Sequence, residues 1–271
     1  MSDRLKKCSE TDMSKIWKYI IIGFCSALIC AAFVSAYLAG AESRKPLKCE
    51  RLEVEITDSL ENSFVSPADV KTYLDKGYGE YIGQPLDSLD LVRMEKIVDA
   101  RSAVRKSHAY VTKDGTLHMM VSQRKPVVRF QKKDGGFYAD AEGYIFPLQH
   151  NYASHVQIID GNVPLAANSG YKGSIEDPEE LLWFKRVMAI VNYMEGSKVW
   201  KDKIVQISVD QKGELILVPR QGKEKFRFGQ PVEIEEKFKK MEAYYTTIIP
   251  EKGQDAYRYI DLRNRGQIVC K

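Results

Sequence analysis

Residues 104–121 read VRKSHAYVTKDGTLHMMV, two runs joined by a Lys-Asp-Gly step. In the second run Leu117, Met119 and Val121 alternate with other residues, which is the period of a half-buried strand. The Asp114–Gly115 pair fits the short turn of a hairpin. This stretch therefore predicts two adjacent antiparallel strands.

The segments before this hairpin predict one more strand and two helices. Residues 52–56 alternate apolar residues with glutamates, as a half-buried strand does. Residues 66–69 read SPAD, which combines a serine cap, a proline at the first helical position and an acid in the first turn, and Gly77 ends this helix. A second helix is predicted to follow Asp87 or Ser88.

The order strand, helix, helix, strand, strand over residues 50–125 predicts two helices packed on one face of a small sheet. Such a unit offers a sheet edge and a groove beside it, and both can accept an extended peptide. A unit that folds only as a spacer is the alternative interpretation.

Residues 126–271 predict a mixed β unit with two helices and a C-terminal strand, so the whole chain is assigned to the α+β class. Strands are predicted at 137–140, 143–146, 156–159, 205–209 and 215–218, and helices from Asp177-Pro178 and over 232–248. The densest basic stretch, residues 124–133, is interpreted as a solvated strand end.

The chain ends in two short segments separated by a turn at Asn264-Arg265-Gly266. Residues 257–263 and 267–270 have the composition of strands, and the last one stops at the C-terminus. A terminal strand can lie at a sheet edge, where its unpaired backbone groups can accept a partner strand.

An apolar block precedes both units. Residues 19–40 read YIIIGFCSALICAAFVSAYLAG and contain no charge. A helix of this length spans the hydrocarbon core of a bilayer, about 30 Å thick. We expect a transmembrane helix after a cytoplasmic head at residues 1–18, with the body outside the cytoplasm. A cleaved signal peptide is the alternative, because Ala39 and Ala41 offer a small-residue cleavage site.

Charge and cysteine content exclude some classes of function. The 271 residues carry 41 Lys and Arg and 37 Asp and Glu, a net charge of +4. This near balance argues against nucleic-acid binding, which requires a concentrated basic face. Cysteine and histidine spacings fit no zinc site, and a Cys49–Cys270 disulfide is left open.

The sequence gives no indication of catalysis or of a cofactor. It contains no GxSxG elbow, P-loop or dinucleotide fingerprint. The four histidines, at 108, 118, 150 and 155, fall in predicted strands or in a loop and share no helical face. We therefore expect no catalytic residue, no metal and no cofactor.

Three stretches resemble the bacterial cell-division protein family FtsQ (DivIB). Residues 93–97 (RMEKI) lead to Val104, where that family passes from its second helix to a strand. Residues 123–129 (QRKPVVR) and 138–148 (YADAEGYIFPL) are similar to the family's pattern at the start of its β domain. Residues 259–263 (YIDLR), followed by Gly266, are similar to its ending.

The resemblance implies a POTRA-like domain at 50–125, a β domain at 126–271 and a non-enzymatic scaffold of the division complex that links early and late division proteins at the septum. It implies FtsB- and FtsL-like partners, a single pass through the inner membrane, periplasmic domains and a position at the division site. The family's terminal strand receives a strand from FtsB, which assigns partner binding here to these residues: Tyr259, Ile260, Leu262, Arg263, Gly266, Gln267, Ile268 and Val269.

Two other functions remain open from the sequence. A POTRA-bearing secretion or envelope-assembly factor would carry a similar first unit, although repeated POTRA units or a barrel are not visible. A membrane-anchored envelope enzyme would carry a similar anchor.

Overall fold

A computed structural model describes residues 3–42, 46–58, 63–149 and 152–271. Within residues 3–42, side chains are described for residues 17–38. The first element is a 40-residue helix, α1, over Asp3–Glu42. Its segment Trp17–Leu38, 22 residues with a mean hydropathy of 2.2, is long and apolar enough to cross a membrane. The predicted N-terminal apolar helix is therefore confirmed.

The first unit contains the five predicted elements in the predicted order: β1 (Arg51–Ile56), α2 (Pro67–Gly77), α3 (Leu91–Asp99), β2 (Val104–Val111) and β3 (Thr116–Gln123). The strands form a three-stranded sheet of order β1-β3-β2. Strand β1 runs parallel to β3, and β2 and β3 form the predicted antiparallel hairpin.

The helix boundaries follow local capping chemistry. Ser66 caps α2 by accepting a hydrogen bond from the Asp69 backbone N–H, while the Asp69 carboxylate accepts one from the Ser66 N–H. The start predicted for α3 was wrong. Asp87 and Ser88 lie in a separate 3₁₀ turn, and Asp90 caps α3 because its carboxylate accepts from the Arg93 N–H.

The second unit is built on one ten-stranded sheet, of order β13-β12-β11-β10-β9-β7-β4-β5-β6-β8. Its strands are β4 (Pro126–Lys132), β5 (Gly135–Asp140), β6 (Tyr144–Pro147), β7 (Gln157–Gly161), β8 (Gly173–Ser174), β9 (Ile204–Val209), β10 (Leu215–Pro219), β11 (Lys225–Gly229), β12 (Tyr259–Asp261) and β13 (Val269–Cys270).

Helical segments pack on one face of this sheet. Helix α4 (Pro178–Glu195) begins at the predicted Asp177 cap, where the Asp177 carboxylate accepts from two backbone N–H groups. The predicted helix 232–248 divides into α5 (Ile234–Ala243), a π-helical turn over Tyr244–Ile248 and α6 (Ile249–Lys252). One hydrophobic core joins α4 and α5 to the apolar face of the sheet.

The interpretation of residues 124–133 as a solvated strand end was wrong for Arg124 and Lys132. Strand β4 lies inside the sheet between β7 and β5. The Arg124 guanidinium is 3.0 Å from the Asp140 carboxylate and lies 3.3 Å from the centroid of the Tyr144 ring. The Lys132 ammonium donates to the carbonyls of Leu165 and Ala167. The side chains of Arg124 and Lys132 therefore serve internal contacts, which composition alone does not reveal, whereas Lys125 and Lys133 are exposed.

The two units meet in an aromatic cluster. Phe64, in the segment before α2, makes edge-on contacts with Tyr138 and Phe146 of the second sheet and with Tyr152, at ring-centroid distances of 4.8–5.9 Å. Tyr138 and Phe146 therefore belong to the hydrophobic cluster of the first unit. Cys49 is buried in that same cluster, whereas Cys270 packs against the core of the second unit, and both are free thiols.

Phe64→Ala tests the importance of this junction. Phe64 is buried, and removing its ring leaves a cavity against three aromatic side chains. We expect the free energy of unfolding to fall by about 3–5 kcal/mol. The measurement is the urea midpoint of the detergent-solubilised chain by circular dichroism. Val92→Ala, at an exposed position on α3, is the control and should change it by less than about 0.5 kcal/mol. Equal effects of the two substitutions would contradict this assignment.

Candidate partner-binding edge

Strand β13 is the last strand at one end of the ten-stranded sheet, and among the described strands it pairs with β12. Tyr259 and Lys271 exchange two backbone hydrogen bonds, of 3.0 and 2.9 Å. Because backbone groups alternate in direction along an antiparallel strand, those of Cys270 point away from β12, and the same alternation continued to Ile268, which directly precedes β13, directs its groups outward as well. The open edge of the sheet is therefore formed by Ile268 and Cys270.

Strand β12 is held in place by its buried side chains. Ile260 and Leu262 are both 0% exposed and lie in the core with Phe226 and Phe228 of β11. The strand runs parallel to β11 and antiparallel to β13. The side chains of Ile260 and Leu262 therefore position the edge and are not available for contact with another chain.

Arg263 connects β12 to the turn between β9 and β10. Its guanidinium donates to both carboxylate oxygens of Asp261 and, over 2.9 Å, to Glu214. The hydrogen bonds from Arg263 hold the pKa of the Asp261 carboxyl below its usual value. The Arg263 side chain crosses Gly229, where an added Cβ would lie 2.7 Å from its Cγ. A larger residue at 229 would therefore displace Arg263.

The turn that leads into β13 is clamped by α5. The Lys240 ammonium donates to the carbonyls of Leu262 and Asn264, over 3.3 and 2.7 Å, and is 2.9 Å from the Glu236 carboxylate. Gly266 has a φ of +65°, a conformation that glycine adopts at little cost. These contacts fix where the chain turns and thus where β13 begins.

The other predicted contact residues are accessible to different degrees. The Tyr259 side chain is 41% exposed on the sheet face opposite the helices, with the Arg227 guanidinium 5.4 Å from its ring centroid. Gly266 and Gln267 are exposed, whereas Ile268 and Val269 are half-buried.

A family model described as "FtsQ/DivIB, C-terminal related" matches residues 125–271, which is more than half of the chain. The chain belongs to the FtsQ/DivIB family. A second model, described as a POTRA-like domain, matches residues 47–122. A search of curated proteins gave no match.

The family assignment gives the general function of the protein. FtsQ/DivIB proteins form a non-catalytic scaffold family, and this chain is a division-related protein. Its first unit is POTRA-like, and its apolar helix α1 is that of a single-pass membrane protein.

Two parts of this FtsQ/DivIB edge were missed from the sequence. The predicted contact set stopped at Val269, although Cys270 carries outward backbone groups. Strand β11 was also missed, although residues 225–229 (KFRFG) alternate charged and aromatic residues in the pattern of a half-buried strand. That alternation was the available signal.

The histidines are dispersed in this FtsQ/DivIB chain. His108 contacts the Glu95 carboxylate at 3.1 Å, while His118 stacks on Tyr110 with a centroid distance of 4.7 Å. His155 is exposed in a loop, and His150 lies outside the described residues. Across the ranges that the structure describes, no group of three or more His, Cys, Asp or Glu side chains is arranged to hold a metal ion.

The Asp261–Arg263 ion pair predicts a pH-dependent contribution to the stability of the edge. Because the folded pKa of Asp261 is lowered, its carboxylate stabilises the fold above the unfolded pKa of about 3.9, and this contribution is lost as the pH falls through the folded value. Asp261→Asn should therefore lower the free energy of unfolding by about 1 kcal/mol at pH 7 and by less at pH 3, which is below the unfolded pKa.

The stability difference is measured from the urea midpoints of the wild-type and Asp261→Asn proteins at pH 7 and at pH 3. Glu214→Gln is the control for general loss of charge around Arg263, since Glu214 accepts one hydrogen bond from that guanidinium and Asp261 accepts two. A penalty for Asp261→Asn that is equal at pH 7 and pH 3 would rule out the ion pair as its cause.

Proposed function

We propose that this protein is a non-enzymatic single-pass scaffold of the division complex, linking early and late division proteins during septum formation. The observation that carries the proposal is the open β13 edge in a chain of the FtsQ/DivIB family. A scaffold needs a surface that binds another chain, and an open sheet edge supplies such a surface from the backbone alone.

An extended segment of an FtsB-like partner adds next to β13. Its backbone pairs with the outward N–H and C=O groups of Ile268 and Cys270, which extends the ten-stranded sheet by one strand. Strand addition satisfies backbone groups that would otherwise be bonded to water. An FtsL-like protein joins the complex with this partner.

Side chains on the two faces of the added strand determine which partner fits. Ile268 and Cys270 pack against the core on the helix-bearing face. Val269 pairs with Asp261 on the opposite face, where Tyr259 is exposed. An incoming strand with alternate apolar residues matches the first face, since backbone bonds give affinity and alternate side chains give specificity.

Helix α1 anchors the scaffold in the cytoplasmic membrane, with the N-terminal head in the cytoplasm and both folded units in the periplasm at the division site. The large folded body after the span supports this orientation. The family match over residues 125–271 favours the division scaffold over a secretion or envelope-assembly factor, which would share the POTRA-like unit.

Ile268→Pro tests strand addition. Proline removes the outward N–H of residue 268 but leaves the β12–β13 hydrogen bonds in place. We expect binding of the FtsB-like partner, measured by biolayer interferometry, to weaken at least about tenfold.

Ile268→Ala, which keeps the N–H, is the matched control and should retain binding within about threefold. The urea midpoint of the proline variant must equal that of the wild type. Wild-type affinity in a folded Ile268→Pro variant would refute strand addition at this position.

Depletion of the protein in its host tests the scaffold role as a whole. Because a division scaffold is required for septation, we expect cells that keep growing without septa and become filaments. Wild-type protein supplied in trans should restore division, and Ile268→Pro should restore it poorly. Normal septation after depletion, in a host without a redundant relative, would contradict the proposed function.

A further inference from the structure

Two exposed apolar side chains lie on two segments at the start of the first unit whose backbones pair with each other. Leu47 is 52% exposed and Ile82 is 51% exposed, whereas the large apolar residues of the α2, α3 and sheet core are buried. The two segments that carry them, residues 46–48 and 82–85, are called here the lip of the first unit.

Backbone hydrogen bonds hold the lip together. The N–H groups of Gly83 and Cys49 donate to the carbonyls of Cys49 and Gln84, over 2.7 and 2.8 Å, and the Leu86 N–H donates to the Leu47 carbonyl over 2.8 Å. The Cys49 side chain between the two segments is buried. Leu47 and Ile82 are therefore presented by ordered backbone, which reduces the entropy that binding would cost.

The lip follows the apolar helix closely along the chain. The apolar segment ends at Leu38, and α1 continues to Glu42, a rise of about 6 Å. Five residues then lead to Leu47, and they span at most about 18 Å when fully extended. The interfacial layer on each side of the hydrocarbon is itself about 5–7 Å thick. Covalent geometry therefore limits Leu47 to within about 24 Å of the end of the apolar segment, so that Leu47 can reach the interfacial layer.

We propose that the lip binds the membrane that holds α1, with Leu47 and Ile82 inserted into the interfacial layer. The inference rests on the membrane anchoring in the proposed function. The short tether makes lipid contact an intramolecular event with a high effective concentration, so two apolar side chains are sufficient for binding. The contact keeps the first unit at the membrane surface.

Apolar contact, and not charge, carries this binding. Lys48 in the lip is exposed, but the neighbouring Glu80 and Asp87 are exposed as well. Positive and negative side chains thus lie side by side, and neither sign dominates the surface that faces lipid. We therefore expect similar insertion into zwitterionic vesicles and into vesicles that contain anionic lipid.

Quenching by brominated lipids tests the inference on the full chain reconstituted in vesicles. The background is Trp17→Phe, which removes the tryptophan nearest to the membrane, and the probes are Ile82→Trp and Leu47→Trp. The emission of the background protein, which comes from Trp183 and Trp200, is subtracted from that of each probe variant. We expect each probe tryptophan to lose about half of its emission in brominated phosphatidylcholine vesicles, as a tryptophan at the membrane interface does.

Val92→Trp is the matched control, because Val92 is 58% exposed in the same unit but lies outside the lip. Its emission should fall by less than about a fifth. Adding Leu47→Asn to the Ile82→Trp protein should bring the quenching of that probe down towards the Val92→Trp value.

Three results would overturn the proposal. The first is quenching of Ile82→Trp that is no greater than the quenching of Val92→Trp. If the same protein still floats with the vesicles after an alkaline wash, this result would refute the lip contact and leave the anchor intact. A blue shift without bromolipid quenching would assign the lip to protein contact. Failure of the protein to float would refute the anchor and the lip together, whereas the scaffold role is judged separately by depletion and partner binding.

Discussion

The outermost strand of a sheet leaves half of its backbone hydrogen-bonding groups without a strand partner, and at one end of the ten-stranded sheet, among the described strands, that strand is β13. Its position depends on the strand behind it. Strand β12 contributes three residues to the sheet, and the burial of Ile260 and Leu262 fixes it beside β11. Without these two apolar side chains, β13 would lose the fixed strand with which it pairs.

Natural proteins protect open sheet edges so that they do not pair indiscriminately. Strand β13 is two residues long, and charged residues surround it: Arg263 and Arg265 before it and Lys271 after it. Arg263 and Arg265 are neutralised by Asp261, Glu214 and Glu233. A short edge with paired charges discourages stacking of identical copies, and a specific partner must match both the backbone and the alternate side-chain positions.

Local signals in the sequence predicted local structure well. The β2–β3 hairpin, the Ser66 capping box and the Asp177 cap depend on residues within a few positions of each other, so they can be recognised from short patterns. The family resemblance, carried by residues 123–148 and 259–266, was confirmed by the family match.

What the sequence did not predict depends on distant contacts. The parallel pairing of β11 with β12 joins segments separated by about thirty residues, and no local pattern specifies such a pairing. The same holds for Ile260 and Leu262, whose burial follows from that pairing, and for Arg124, whose partner Asp140 lies on the neighbouring strand. Composition predicts a solvated face for such an arginine, and only the tertiary structure shows that its charge is compensated.

The junction between the units connects these features. The first unit packs on Tyr138 of β5 and Phe146 of β6, and the sheet order places β5 and β6 at one end and β13 at the other. The buried Arg124–Asp140 pair and the Phe64 contacts fix the first unit at that end. Most of the sheet therefore separates the unit nearest to the membrane anchor from the edge that accepts a partner. A partner strand can pair with β13 without displacing any contact between the units, because the residues that hold the units together lie several strands away.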